Sequence, residues 1–243
     1  MKVLICTIAR DVSESLDVWY FQISSLVEEN KDIDFSISIY ENDSEDGSDF
    51  KLESFNYDIF KEKWISTEKI GTELFGSVIS AQRVINLSNA RNKTLDQVED
   101  LSIYDKVVFI EPDITYETQE VSKLIRQQEN YGKEFDILSG ISVRGEYNEF
   151  YDSWCTRINE QDKSLKNLNL GSKLVDCWTT FNCFCVYNAK AFSEGVRFSG
   201  IRNEETQDCD CDTALVCENF RKAGYNKIAM DTETVIRHDR VKL

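Results

Sequence analysis

Hydrophobic positions along the chain switch repeatedly between strand-like runs and stripes three or four residues apart, the pattern of an α/β domain. Lys2 to Ala9 is a continuous apolar run, which suits a parallel strand covered on both faces. Ser13 or Ser15 can cap a following helix toward Asn30, with Leu16, Trp19, Tyr20, Ile23 and Val27 on one face. Phe35, Ile37 and Ile39 then alternate in a second strand that stops at the polar loop Glu41 to Ser48. Phe50 to Gly76 is weakly patterned, with one short strand near Lys63 to Ser66. A helix is predicted from about Val78 to Val98, and a strand over Lys106 to Ile110 runs into the single proline, Pro112. Val121, Leu124 and Ile125 mark the next helix, and Phe135 to Ile141 the next strand. Cys183 to Tyr187 and Lys227 to Met230 read as strands on either side of a helix over Thr213 to Ala223, which Gly224 closes. The expected fold is a mixed, mostly parallel sheet flanked by helices.

With one proline and ten glycines there is little material for a linker, so residues 1–243 read as a single domain. Net charge changes the picture more. At −16 the chain lacks the lysine and arginine excess that displaces counterions from nucleic acid, and it disfavours an anionic membrane surface. A protein this acidic needs a local arginine cluster or a bridging metal ion to hold an anionic ligand. No stretch reaches the roughly 18–20 apolar residues of a membrane span. The N-terminus is apolar for only about eight residues before Arg10 and Asp11, too few for a signal peptide. A cytoplasmic setting follows as the expectation, with the eight cysteines as reduced and mostly buried thiols. Their spacings do not suit zinc.

Open parallel sheets bind ligands at the carboxyl ends of their strands. Three acidic loops are expected there: Glu41 to Asp46, Glu111-Pro112-Asp113, and Asp208 to Asp212. Hard oxygen ligands at a strand end suit Mg²⁺ or Mn²⁺ and leave positions open for a diphosphate. His238, the only histidine, ends another short apolar strand and can serve as a metal ligand arriving from the C-terminal tail. Arg237 and Arg240 beside it can meet phosphate oxygens. Arg91, in the long helix, can face a diphosphate or pair with carboxylates.

Several blocks carry a family likeness. Tyr40-Glu41-Asn42-Asp43-Ser44-Glu45-Asp46-Gly47, Ala90-Arg91-Asn92 and Lys106 to Asp113 resemble successive blocks of GT-A glycosyltransferases. More narrowly, Phe150-Tyr151-Asp152-Ser153-Trp154-Cys155-Thr156-Arg157 is similar to the FYD-[ST]-W-x-x-R block of the cryptococcal capsular α-1,3-mannosyltransferase-like family. Val175 to Trp178, and Asp212 through Ile228, resemble its later blocks. The likeness runs from about residue 36 to 238. It implies a GT-A fold, a GDP- or UDP-sugar donor and a Mn²⁺ or Mg²⁺ cofactor. Asp113 would be the leading metal ligand, with Glu111 and His238. Asp43 would contact the nucleoside and Arg91 the diphosphate. Ala9, Arg10, Glu41 and Glu111 join the donor side. Asp212 matches the acidic residue that faces the acceptor. The chain departs from the pattern in beginning its metal motif with Glu111 and in placing Asp212 where a glutamate is usual.

The implied reaction moves a hexosyl group, mannose among the candidates, to the hydroxyl of a glycan or other acceptor. If configuration inverts, Asp212 or Asp210 would be the general base; if it is retained, as the likeness suggests, none is needed on that face. A sugar nucleotidyltransferase also uses acidic metal sites, but Ile8 to Val12 lacks its usual glycine-rich loop. A non-catalytic carbohydrate-binding domain using Trp154 and Trp178 would leave the acidic loops unexplained.

Overall fold

The computed structural model describes residues 1–76, 78–162, 173–203, 205–206 and 208–238. In chain order the elements are β1 (Lys2–Ala9), α1 (Leu16–Glu29), β2 (Asp34–Asn42), α2 (Ser48–Ser54), β3 (Lys63–Glu68), α3 (Ala81–Asp96), β4 (Lys106–Ile110) and β5 (Thr115–Tyr116). They continue with α4 (Thr118–Ile125), α5 (Gln127–Tyr131), β6 (Ile137–Arg144), β7 (Glu149–Phe150), β8 (Leu174–Asp176), β9 (Phe184–Asn188) and α6 (Ala189–Ser193). The last are β10 (Ile201–Asn203), β11 (Asp208–Cys209), α7 (Asp212–Lys222) and β12 (Ile228–Arg237).

A ten-stranded sheet runs through this set in the order β3-β2-β1-β4-β9-β6-β12-β5, with β7 beside β6 and β8 beside β12. β3, β2, β1 and β4 are mutually parallel. β9 lies antiparallel between β4 and β6, and β12 is parallel to β6. Two reversals make β6 and β12 run with β4. The carboxyl ends of β1, β2, β4, β6 and β12 therefore share one edge of the sheet, which is where ligands are expected. The predicted mixed α/β architecture stands.

Apolar runs explain the central strands. β4 is buried at all five positions, as a strand covered on both faces must be. One core layer packs Trp19, Ile23 and Leu26 of α1 with Val121 and Leu124 of α4 against the sheet. The other packs Leu95 of α3 and Phe192, Val216 and Phe220 against its opposite face. At Gly200 a methyl group would come within 2.5 Å of the Ile85 nitrogen, so glycine lets the chain ahead of β10 lie directly on α3.

Three expectations need adjusting. The long helix starts at Ala81, where the Ser80 side chain caps the Arg83 amide, and not at Val78. The two short C-terminal strands are one ten-residue strand, β12, whose register against β6 shifts between Met230 and Val235. Buried Asp231, Thr232 and Thr234 fill that irregularity and hide its apolar pattern. The third acidic loop does not lie at a strand end of the main sheet, because Asp208 and Cys209 form a separate ribbon with β10. All eight cysteines are free thiols, Cys209 being the one that is not buried. No described helix is long and apolar enough to cross a membrane.

Candidate active site

Glu111-Pro112-Asp113 turns the chain out of β4. A short reach later, Thr115 and Tyr116 pair antiparallel with Arg237 and Ile236 at the end of β12. This pairing brings the two ends of the chain's functional residues together. His238, one residue past β12, places Nε2 at 3.0 Å from Asp113 Oδ2. The Asp113 side chain stays 32% exposed and that of His238 18%, so the pair faces an accessible space rather than the core. Burial disfavours the imidazolium form, but the hydrogen bond and charge of Asp113 outweigh it and raise the His238 pKa. The His238 ring lies on Tyr151, with centroids 3.8 Å apart and planes 12° from parallel.

Behind this pair sits a buried ion network. Arg91 Nε donates to Asp212 Oδ2 at 2.8 Å. Glu111 Oε1 lies 2.7 Å from Arg91 Nη2, a close ion pair. The guanidinium is packed by Phe181 at 4.7 Å, Phe198 at 5.8 Å and Phe109 at 5.9 Å to the ring centroids. Burial pushes the Glu111 carboxyl up, with Arg91 opposing and Asp113 adding to the rise. Arg91 thus joins the end of β4 to the start of α7, as a carboxylate partner well inside the fold.

The end of β2 is built differently. Asp43, at φ +59°, accepts from the amides of Ile70 (2.8 Å), Gly71 (2.8 Å) and Thr72 (2.9 Å), and from the Thr72 hydroxyl at 2.6 Å. Burial opposes ionisation, yet these donors hold its carboxyl well below the usual range. Glu41 is fully buried and takes the Ser44 amide on Oε1 at 2.8 Å, and its Oε2 has no partner among the described residues. From the end of β1, past Ala9, Arg10 reaches the Thr72 carbonyl at 2.8 Å and hydroxyl at 2.9 Å. Asp43 and Arg10 together fasten the loop after β3. Beside that loop, a cavity of about 380 Å³ opens between Tyr40 and Asn42 of β2, Thr72, and Asn86, Asn89 and Lys93 of α3.

Asp210 stands apart from Asp212. Arg157 grips it with two bonds, Nη1 to Oδ2 at 2.9 Å and Nη2 to Oδ1 at 2.6 Å, and Arg202 adds a third at 2.5 Å. Burial works against the charge, but the Arg157 hydrogen bonds lower the Asp210 pKa. Arg237 bonds Asn148 at 2.7 Å, and Arg240 lies outside the described residues.

Within the 150–157 block only Trp154 carried an expected role, in the carbohydrate-binding alternative. Asp152 accepts the Asn182 amide at 2.7 Å, and burial outweighs that donor and pushes its carboxyl up to about 6. Asn182 and Cys183 follow with positive φ of 54° and 62°, and the Cys183 carbonyl receives the Glu111 amide at 2.9 Å. Two successive non-glycine residues in the left-handed region store strain at the point where the site is assembled. Asn182 is itself a buried amide, bonded to Ser139 and Ser142 of β6 and to Thr180 two residues earlier, a network that no sequence pattern announces.

Over residues 2–219 the chain matches the family described as Cryptococcal mannosyltransferase 1. It belongs to that family. The stretch matched includes Asp43, Arg91, Glu111, Asp113, Asp210 and Asp212, while His238 lies beyond it. No curated protein matches the chain. Among solved structures, TarS of S. aureus in complex with UDP-GlcNAc superposes with a TM-score of 0.59 at 12% identity, covering 100% of this chain and 60% of that one. The mannosyltransferase PcManGT of Pyrobaculum calidifontis, in complex with GDP-Man and Mn²⁺, gives 0.59 at 10% identity, covering 99% and 57%. A mycobacterial protein gives 0.54 at 13% identity, covering 100% and 68%. At these identities the likeness speaks to the fold, which is GT-A. The chain spans about 60% of the length of the TarS chain. Family and fold together give the chain a glycosyltransferase-type fold within a mannosyltransferase family.

Proposed function

We propose that this protein, acting as a single catalytic domain, transfers a hexosyl group, mannose by its family, from a GDP- or UDP-linked donor to an acceptor hydroxyl, with a divalent cation held by Asp113 and His238. The observation that carries this is their 3.0 Å contact at the sheet edge where donors bind. The donor chemistry fits: one hard carboxylate oxygen and one imidazole nitrogen suit Mn²⁺, and Mg²⁺ less well. Among the described residues no three His, Cys, Asp or Glu side chains gather into a closed site. Asp113 and His238 would be the residues that hold the ion. Such an ion supplies Lewis-acid stabilisation of the departing diphosphate.

The chain's own residues divide the remaining work. Glu111 is oriented by Arg91 and in turn fixes the turn that presents Asp113. The cavity between Asn42, Thr72 and Asn89 suits a nucleoside, with Asp43 and Arg10 shaping its wall by fastening the loop rather than by offering free oxygens or donors. Both carboxylates that could act as general base are engaged with arginine. Asp210 is moreover shifted toward the ionised form and so toward weaker basicity. That arrangement favours retention of configuration at the transferred sugar, for which no base on the acceptor face is required.

Thermal-shift screening of GDP- and UDP-sugars with and without Mn²⁺ tests the reading, because a ligand that binds only the folded state raises its stability. Metal-dependent stabilisation by one nucleotide class is expected. Stabilisation that is indifferent to EDTA would overturn the metal assignment. An anomeric NMR assay of the product decides retention.

A further inference from the structure

His238 can serve as a ligand only if its ring is held with Nε2 toward Asp113, and one residue past the end of a strand is a poor place to hold a ring. Among the described residues its backbone is held by one hydrogen bond, from the His238 amide to the Val143 carbonyl at 2.9 Å. The torsion that turns an imidazole about its bond to the β-carbon is broad, so the backbone alone does not set the ring plane.

We infer that Tyr151 is a positioning residue that sets the plane of the His238 imidazole and thereby the affinity of the Asp113–His238 pair for a divalent cation. The two rings stack face to face at 3.8 Å and 12°. Tyr151 has an independent mounting: its amide donates to the Ser142 carbonyl at 2.9 Å, just after β7 pairs with the end of β6. β6 therefore carries both partners, with His238 bonded at Val143 and Tyr151 bonded at Ser142. The Arg144 guanidinium lies 5.8 Å from the Tyr151 ring centroid and adds a further contact to the phenol ring. With one face against imidazole, Tyr151 is not an open platform for a sugar. Residues that orient a metal ligand in this way commonly tune metal affinity without touching the ion.

This inference rests on the metal reading above, and its test separates the two. His238 is the only histidine in the chain, so its imidazole gives a single set of NMR signals. The Tyr151 ring current should displace those signals in the native protein and in Tyr151→Phe, and the displacement should vanish in Tyr151→Leu. Paramagnetic broadening by Mn²⁺, added with saturating GDP and separately with UDP, reads ligation at the same ring. Wild type and Tyr151→Phe should broaden at the same Mn²⁺ concentration, and Tyr151→Leu should need about fivefold more, the scale of one aromatic pair. Should the leucine variant not fold, Tyr151→Met, which keeps side-chain bulk without a ring, makes the same comparison. If Mn²⁺ broadens the wild-type signal and the ringless variant equally, the positioning role is wrong and the metal site stands. If Mn²⁺ leaves the wild-type signal untouched, both fall.

Discussion

The ends of β2 and β4 carry the same short pattern, Glu41-Asn42-Asp43 and Glu111-Pro112-Asp113, yet the fold uses them in opposite ways. At β2 the aspartate oxygens are taken up by three loop amides and a hydroxyl, and the glutamate is sealed beneath the loop, taking the Ser44 amide. At β4 the glutamate pairs with a buried arginine, and the aspartate meets one imidazole while a third of its side chain stays open. The difference comes from what faces each turn. The loop after β3 presents bare amides to Asp43, whereas β12 presents His238 to Asp113. Two carboxylates one residue apart are therefore not in themselves a metal motif. The neighbouring strand decides whether they build a loop or face a ligand.

The comparison can be broken most forcefully at Arg91. Arg91→Met leaves Glu111 and Asp212 without their cation and should cost about 3–5 kcal/mol in urea denaturation. Arg91→Lys should recover only part of that loss, since one ammonium cannot reproduce the fork and the aromatic packing. Among the described residues no cation pairs with Glu41, so nothing comparable is expected at β2. Next in size, Asp113→Ala should lower metal-dependent turnover by more than about a hundredfold with the melting temperature little changed. Residual activity that still responds to EDTA would show the ion seated elsewhere.

Asp43→Asn should act on structure first. It should lose about 1–2 kcal/mol and speed amide hydrogen exchange at Ile70, Gly71 and Thr72, with turnover reduced less than in Asp113→Ala. The smallest effect is in acid. Because the folded state holds the Asp43 carboxyl below its usual range, the unfolded chain binds its proton first as pH falls. The stabilisation is present above the ordinary aspartate value of about 3.9 and is lost as pH drops through the folded value. Denaturation midpoints measured from pH 5 downward should show a shallower acid limb in Asp43→Asn.

Much of the frame was legible along the chain. β1 and β4 show as unbroken apolar runs, α1 as a stripe, and Gly224 as the stop after α7. Asp113, by the family likeness, and His238, by its chemistry, read as metal ligands some 125 positions apart, but their contact depends on the short β5–β12 pairing, too brief to leave a period. Arg91 read as facing either a diphosphate or carboxylates; the structure pairs it with Glu111 and Asp212, and its burial depends on Phe181 and Phe198, which lie far off in sequence. The role of the 150–157 block could not be read because Tyr151 and Arg157 find their partners, His238 and Asp210, only through the sheet. Asp208 to Asp212 misled for the opposite reason. Its acidity is real, but a ribbon outside the main sheet carries its start and Arg157 and Arg202 neutralise its centre.

The central claim is that β4, and not its twin at β2, seats the divalent ion. Mn²⁺ affinity measured by electron paramagnetic resonance in the presence of GDP or UDP tests it on matched variants. Asp113→Asn should weaken Mn²⁺ binding by about tenfold or more, and Asp43→Asn should leave it within about twofold of wild type. Equal loss in both variants, or loss only in Asp43→Asn, would contradict the account.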